Sequence, residues 1–146
     1  MIADAQPCSD PRAQRVVALF EGLQTSDVAR LGEWYAAGAR FKDPFNEVSC
    51  LADIQAIFAH MFIALEAPRV DVLETICEGS ACFMSWDFHF GLRGRAMTVH
   101  GSSHLRFDGQ GLIVLHRDYW DAAEELYEKL PVLGGLMRWL KRRAGS

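Results

Sequence analysis

The spacing of apolar residues changes once along this chain, and the change limits what the chain can fold into. Up to residue 68 they recur mostly at helical intervals. From Arg69 onward they alternate with polar residues through RVDVLETIC, ACFMSWDFHF, RAMTVHGSSHLRF and GLIVLHRDYW, the period of half-buried strands. Four strands are expected there, linked by Gly79, by the turn at 91–94 and by Asp108-Gly109-Gln110-Gly111. Links this short join neighbours, so the strands should form an antiparallel meander.

The helices come first. Asp10 before Pro11 reads as an N-cap with proline in the first turn, and Val16, Leu19, Phe20 and Leu23 keep one face apolar over 11–24. Thr25, Ser26 and Asp27 offer a second cap, and Val28, Leu31, Trp34 and Tyr35 mark the buried side of a short helix that Gly38 can end. The segment RFKDPF at 40–45 is too short and too proline-broken for a helix and reads as an edge strand running into a turn. Leu51, Ile54, Ile57, Phe58, Met61, Phe62 and Leu65 then form a third helical stripe, stopped by Pro68. After the strands, Asp121 with Glu124 makes a capping box for a last helix, interrupted at Pro131 and continued by Leu133, Leu136, Met137 and Leu140.

The expected fold is therefore α+β, a cone-shaped roll in which a curved antiparallel sheet wraps around N-terminal helices. A single domain of residues 1–146 carries a C-terminal helical extension at 122–143. At 146 residues, half of them hydrophobic, the chain can bury a full core without staples. A net charge of -4 gives no electrostatic reason to bind nucleic acid. The basic residues Arg138, Lys141, Arg142 and Arg143 read as a solvated helix end rather than a membrane contact. Cys8, Cys50, Cys77 and Cys82 form no CxxC pair, so a disulfide framework or a zinc knuckle is not indicated, and they read as buried or incidental thiols in a reducing compartment. The first residues lack a secretory pattern, and no run reaches the roughly 20 apolar residues of a bilayer span, so a cytoplasmic protein is expected.

Strand alternation assigns faces. Met84, Trp86, Phe88 and Phe90 form one inward row, and Val99, Gly101, Ser103 and Leu105 form another, with the missing side chain of Gly101 leaving room for a cavity. The last strand carries charge on both rows. Taking His116, Asp118 and Trp120 as inward puts an imidazole, a carboxylate and an indole on one face. His116 and Asp118 then form either a hydrogen-bonded general acid and electrophile pair or salt bridges to the neighbours of Arg117 or to the C-terminal helix that merely hold the strand edge. Asp43 before Pro44 is either a pocket base raised by desolvation or a turn aspartate. Trp34, Tyr35, Phe58, Met61, Phe62, Trp86 and Phe88 are candidate contacts for a small apolar ligand, each equally suited to plain core, and Ser103 and Trp120 on the inward rows join them as candidate ligand-binding residues. His89, His100 and His104 fall on the outward rows; no metal site is expected from them, and with Phe83 and Thr98 they decorate a face suited to a homodimer.

The order of these elements, with YAAGARFKDP and RFDGQGLIVLHRDYW, resembles the nuclear-transport-factor-2-like superfamily and its SnoaL-like and ketosteroid isomerase-like branch, over about residues 12–125. The resemblance implies a proton-transfer enzyme without cofactor, of isomerase, cyclase or hydrolase type, or else a non-catalytic ligand-binding or dimerising domain. It also implies that Asp43 occupies the position of the family's general base and Trp120 that of a pocket tryptophan. Leu19 or Phe20, and Ser103, stand where the isomerases place their two oxyanion donors. Losing even one such donor typically costs about 10²–10³ in rate, so steroid isomerisation by that route is not expected.

Overall fold

The computed structural model describes residues 8–127; most of the C-terminal helical extension, including Pro131 and the residues after it, lies outside the described residues. Helix α1 (Pro11–Glu21) begins as its cap demands, with the Asp10 carboxylate accepting a hydrogen bond from the Arg12 amide at 2.9 Å, and it buries Ala13, Val16, Leu19 and Phe20. A 3₁₀ segment (Thr25–Glu33) follows, then strand β1 (Tyr35–Lys42), β2 (Glu47–Val48), helix α2 (Leu51–Ala64), and strands β3 (Glu66–Glu78), β4 (Ala81–Leu92), β5 (Arg95–Phe107) and β6 (Ile113–Tyr119). A short π-helical turn (Ala123–Tyr127) closes the described chain, and Asp121 caps it by accepting from the amides of Ala123 and Glu124.

The strands form one curved, unclosed sheet in the order β2-β1-β6-β5-β4-β3, and the expected meander is the four strands β3–β6 of it. Glycine makes two of the turns possible. Gly79 at φ 58 opens the Gly79-Ser80 link, and Gly94 at φ 77 completes the Arg93-Gly94 link, in which Arg93 is also left-handed. Helices α1 and α2 pack on one face and enclose the core.

Four expectations need correction. Trp34 and Tyr35 do not end a helix: the 3₁₀ turns stop at Glu33, and Tyr35 opens β1 with its side chain buried. Nor is the strand part of the 40–45 segment at an edge: Phe41 and Lys42 pair antiparallel with β2 and parallel with β6, inside the sheet, while 43–45 form the expected turn. Pro68 does not separate helix from strand; β3 already starts at Glu66, and Pro68 lies within this edge strand, where a missing amide is tolerated. Gly101 leaves no vacancy either. The Trp86 ring lies over it so closely that an added Cβ would meet Cη2 at 2.5 Å.

Two irregularities in strand pairing set which residues face inward. Between Val72 and Glu74 the β3–β4 register slips, so Val70 and Val72 share the core face with Cys77 while Leu73 and Ile76 face out. In β6 the register slips between the Arg106 and Phe107 pairings. Ile113 and His116, three apart in sequence, are therefore both buried, and strict alternation over 112–120 fails.

Candidate functional site

Five side chains of opposite polarity tendencies meet inside the sheet, and each comes from a different constraint on the chain. The bulge in β6 turns His116 inward, and beyond it normal alternation brings Asp118 to the same side, beside its β5 partner Ser103. Tyr35, at the start of β1, and Trp86, on the inward row of β4, complete the set. Tyr35, Ser103 and His116 are 1%, 1% and 3% exposed, so their polar atoms must find partners within the protein.

They do so in one chain. The Tyr35 hydroxyl lies 2.7 Å from His116 Nδ1, and His116 Nε2 lies 2.7 Å from Asp118 Oδ1. Ser103 Oγ donates to the same Asp118 oxygen at 2.5 Å, and Trp86 Nε1 donates to Ser103 Oγ at 2.9 Å. One proton arrangement satisfies every member. Indole N–H can only donate, so the serine accepts it and gives its own proton to Asp118; His116 gives Nε2–H to the carboxylate and receives the tyrosine proton at Nδ1. Burial, and then the charge of Asp118, push the Tyr35 phenol well above its ordinary pKa, which keeps it a donor.

Aromatic rings seal this chain. Phe41 meets the His116 ring edge-on at 4.8 Å between centroids, Tyr35 stacks on it at 6.0 Å, and Phe20 packs at 5.5 Å. Phe58 backs Tyr35 and Phe41. Solvent reaches the network through Asp118, whose side chain is 19% exposed. Its Oδ2 accepts no hydrogen bond from the described residues.

Beside the network, the ends of α1 and α2 and the start of β3 frame a cleft of about 330 Å³. Phe20, Met61, Phe62, Val70 and Phe88 supply its apolar wall, and Glu21, Gln24 and Arg69 its polar groups. Phe20 therefore has one side on the cleft and the other on His116. Ala67, also in the lining, sits at φ 44, a left-handed conformation costly for a residue with a Cβ.

The remaining sequence candidates lie elsewhere. Asp43 holds the β1–β2 turn: its Oδ1 accepts from the amides of Phe45 and Asn46 at 2.8 and 2.6 Å, and the Asn46 side chain reaches both carboxylate oxygens at 3.2 Å. Trp120 packs edge-on against Phe45 near that turn. Trp34 lies against the guanidinium groups of both Arg15 and Arg30, and its indole N–H is buried with no hydrogen-bond partner among the described residues. On the outer face, His89 bonds Asp71 and Thr98, His100 bonds Asp87, and His104 stacks on Phe83. Burial, then Arg106 and Arg117, lower the His104 pKa. Among the described residues no group of three or more His, Cys, Asp and Glu is placed to hold a metal ion, and no helix is long and apolar enough to cross a membrane.

Phe41, which closes over the His116 ring, was not among the candidates read from the sequence. Its signal was the alternation of Tyr35, Ala39 and Phe41, visible once Tyr35 is assigned to a strand rather than to a helix.

Comparison with solved structures finds the same architecture. A protein from Catenulispora acidiphila with a ketosteroid isomerase-like fold, in complex with trimethylamine, superposes with a TM-score of 0.70 at 17% identity, over 82% of this chain and 92% of its own. An LEH-like epoxide hydrolase from M. tuberculosis gives 0.69 at 17% identity, over 90% and 96%. A candidate SnoaL-like polyketide cyclase from Jannaschia sp. CCS1 gives 0.69 at 16% identity, over 84% and 96%. Comparison with curated proteins returns no match. A sequence profile for the SnoaL-like domain matches residues 16–116, from the middle of α1 to His116 in β6. The chain belongs to the SnoaL-like domain family.

Proposed function

We propose that the protein is a cofactor-independent acid–base enzyme of isomerase, cyclase or hydrolase type, acting on a small hydrophobic, carbonyl-bearing molecule with Asp118 as the proton acceptor. The observation that carries this reading is the hydrogen-bonded chain behind Asp118, which commits Oδ1 to Ser103 and His116 and leaves Oδ2 for a substrate proton. His116, fixed by Tyr35, and Ser103, fixed by Trp86, hold the carboxylate in one orientation. A base so positioned needs no reorganisation at the moment of transfer, and such a group contributes roughly 10²–10⁴ in rate. The relatives called polyketide cyclase and epoxide hydrolase support this class of chemistry.

In this reading the base is Asp118 rather than Asp43, whose oxygens are occupied by the β1–β2 turn. The test is turnover of a panel of ketones, polyketide-like β-dicarbonyls and epoxides by the wild type, Asp118→Asn and Asp43→Asn. Loss of roughly 10²–10⁴ in kcat on Asp118→Asn, with Asp43→Asn retaining most activity, is the expected result. The reverse pattern would return the base to Asp43.

A second reading has an observation of its own. The interior around His116 is filled by Phe20, Tyr35, Phe41 and Trp86, and Ile76, Phe83 and Tyr119 are exposed on the outer sheet face. A non-catalytic domain that pairs with a second copy through that face would look the same. It is favoured if sedimentation shows a dimer that Phe83→Lys dissociates while no compound of the panel is turned over or raises the unfolding midpoint; a ligand at about 100 times its Kd would add roughly 2.7 kcal/mol.

A further inference from the structure

Three of the four cysteines, scattered in sequence, meet at one place in the fold. Cys77 and Cys82 are direct cross-strand partners on β3 and β4, one pair inward from the Gly79-Ser80 turn. In a two-residue hairpin the pair flanking the turn, here Glu78 and Ala81, closes with hydrogen bonds, so the next pair is the non-hydrogen-bonded kind. Cα atoms in such a pair stand about 4.5 Å apart with side chains close, inside the range that a disulfide spans. Cys8 joins them from the segment before α1, where it packs on the same core, and the Cys77 thiol interacts with the thiols of both Cys82 and Cys8.

The surroundings hold this arrangement in place. Arg12 bonds Asp10 at 2.7 Å and the carbonyl of Gly79 at 2.6 Å, latching the start of α1 to the hairpin tip, and the Phe107 amide pins the carbonyl of Ser80 at 2.9 Å. Cys8 and Cys77 are half-buried and within reach of a small oxidant, whereas Cys82 is fully buried behind them.

We propose that Cys77 is the shared thiol of a reversible redox site, closing a cross-strand disulfide with Cys82 under a peroxide oxidant, with Cys8 as its alternative partner through thiol–disulfide exchange. In the first step a Cys77 thiolate attacks the peroxide O–O bond, which forms a sulfenic acid and releases hydroxide. The neighbouring Cys82 sulfur then attacks the sulfenic sulfur; the S–S bond forms, the S–O bond breaks, and the thiol proton leaves with the oxygen as water. Two thiols lose two electrons and the peroxide is reduced to two waters. Exchange needs no further oxidant: Cys8 thiolate attacks the Cys77 sulfur and Cys82 departs as thiolate, taking up a proton. Burial first, with the neighbouring thiols adding to it, raises the Cys77 pKa, and burial also raises that of Cys82. Oxidation is therefore slow near neutral pH and quickens as pH rises.

Peptide mapping of the intact wild-type chain tests this after treatment with hydrogen peroxide and alkylation of free thiols. Cleavage after Glu78 puts Cys77 and Cys82 on separate peptides, so their linkage is read directly. The expected product is an intramolecular disulfide at Cys77, to Cys82 or to Cys8, reversed by a small dithiol. Cys82→Ser should shift it wholly to Cys8, and Cys77→Ser should leave none. Cys50, at the start of α2, is the internal control. Free Cys77 alongside oxidised Cys8 or Cys50, disulfides joining two chains, or no disulfide at all would overturn the proposal; the wild-type map alone decides it if a variant does not fold.

Discussion

The two faces of the sheet carry the same kind of pair, a histidine against an aspartate, in opposite surroundings. On the outer face His100 bonds Asp87 at 2.9 Å with the two side chains 60% and 33% exposed, and His89 bonds Asp71 at 3.0 Å. On the inner face His116 bonds Asp118 at 2.7 Å with the histidine side chain 4% exposed. Water competes for every polar atom outside, so those pairs are interchangeable with solvent contacts and worth about 0–1 kcal/mol. Inside, Tyr35, Ser103 and His116 are closed off from water, and each of their polar atoms left alone keeps its full desolvation cost. Residue types are alike on both faces, though the inner pair lies two residues apart on one strand and the outer pairs join neighbouring strands; burial is what separates their energetics.

Removing the histidines in turn would break this comparison most directly. His116→Ala strips the part-exposed Asp118 carboxylate of one donor, leaves the buried Tyr35 hydroxyl without an acceptor and opens a cavity among Phe20, Tyr35 and Phe41, so it should cost about 3–5 kcal/mol in denaturant unfolding. A loss below about 1 kcal/mol would mean that water enters and replaces the imidazole.

Tyr35→Phe is the next largest effect. It removes only the hydroxyl, keeps the ring against Phe58 and His116, and leaves His116 Nδ1 without its donor, for an expected cost of about 1–3 kcal/mol. It should also change the alkaline limb of the stability curve. The buried phenol holds its proton above the ordinary tyrosine value of 10.0, so its contribution is present below that pH and is lost as pH rises beyond it, where the unfolded chain ionises first. Wild type should therefore lose more stability than Tyr35→Phe on going from pH 9 to 11; parallel curves would place the phenol in contact with water.

His100→Ala, on the outer face, should move stability by no more than about 0.5 kcal/mol, and the small difference should shrink further in high salt. A larger effect measured at a concentration where the chain self-associates would show that a second copy covers this face.

The strand order of the meander, the inward rows of β4 and β5, and the caps at Asp10 and Asp121 were legible because each rests on neighbours in sequence: alternation, a short turn, a side chain reaching an amide two or three residues on. His116 with Asp118 was legible in part. Choosing their row as inward placed them together, yet that same row put Val114 inward and Ile113 outward, whereas the bulge buries Ile113. Tyr35 was named as a ligand contact on a helix, and its actual bond to His116 comes from the parallel pairing of β1 with β6, which joins segments about 80 residues apart.

What this sequence determined unaided was the class of fold: where helices give way to strands, which strands are consecutive neighbours, and that the interior would be aromatic. Only the tertiary structure decided which polar groups are confined. The slips in β3 and β6, the indole lying over Gly101, and the meeting of Cys8 with Cys77 and Cys82 all depend on packing between distant segments. Local periodicity reports a residue's preference for a face. The pairing of remote strands, which must fill space and satisfy every buried donor at once, sets the face it receives.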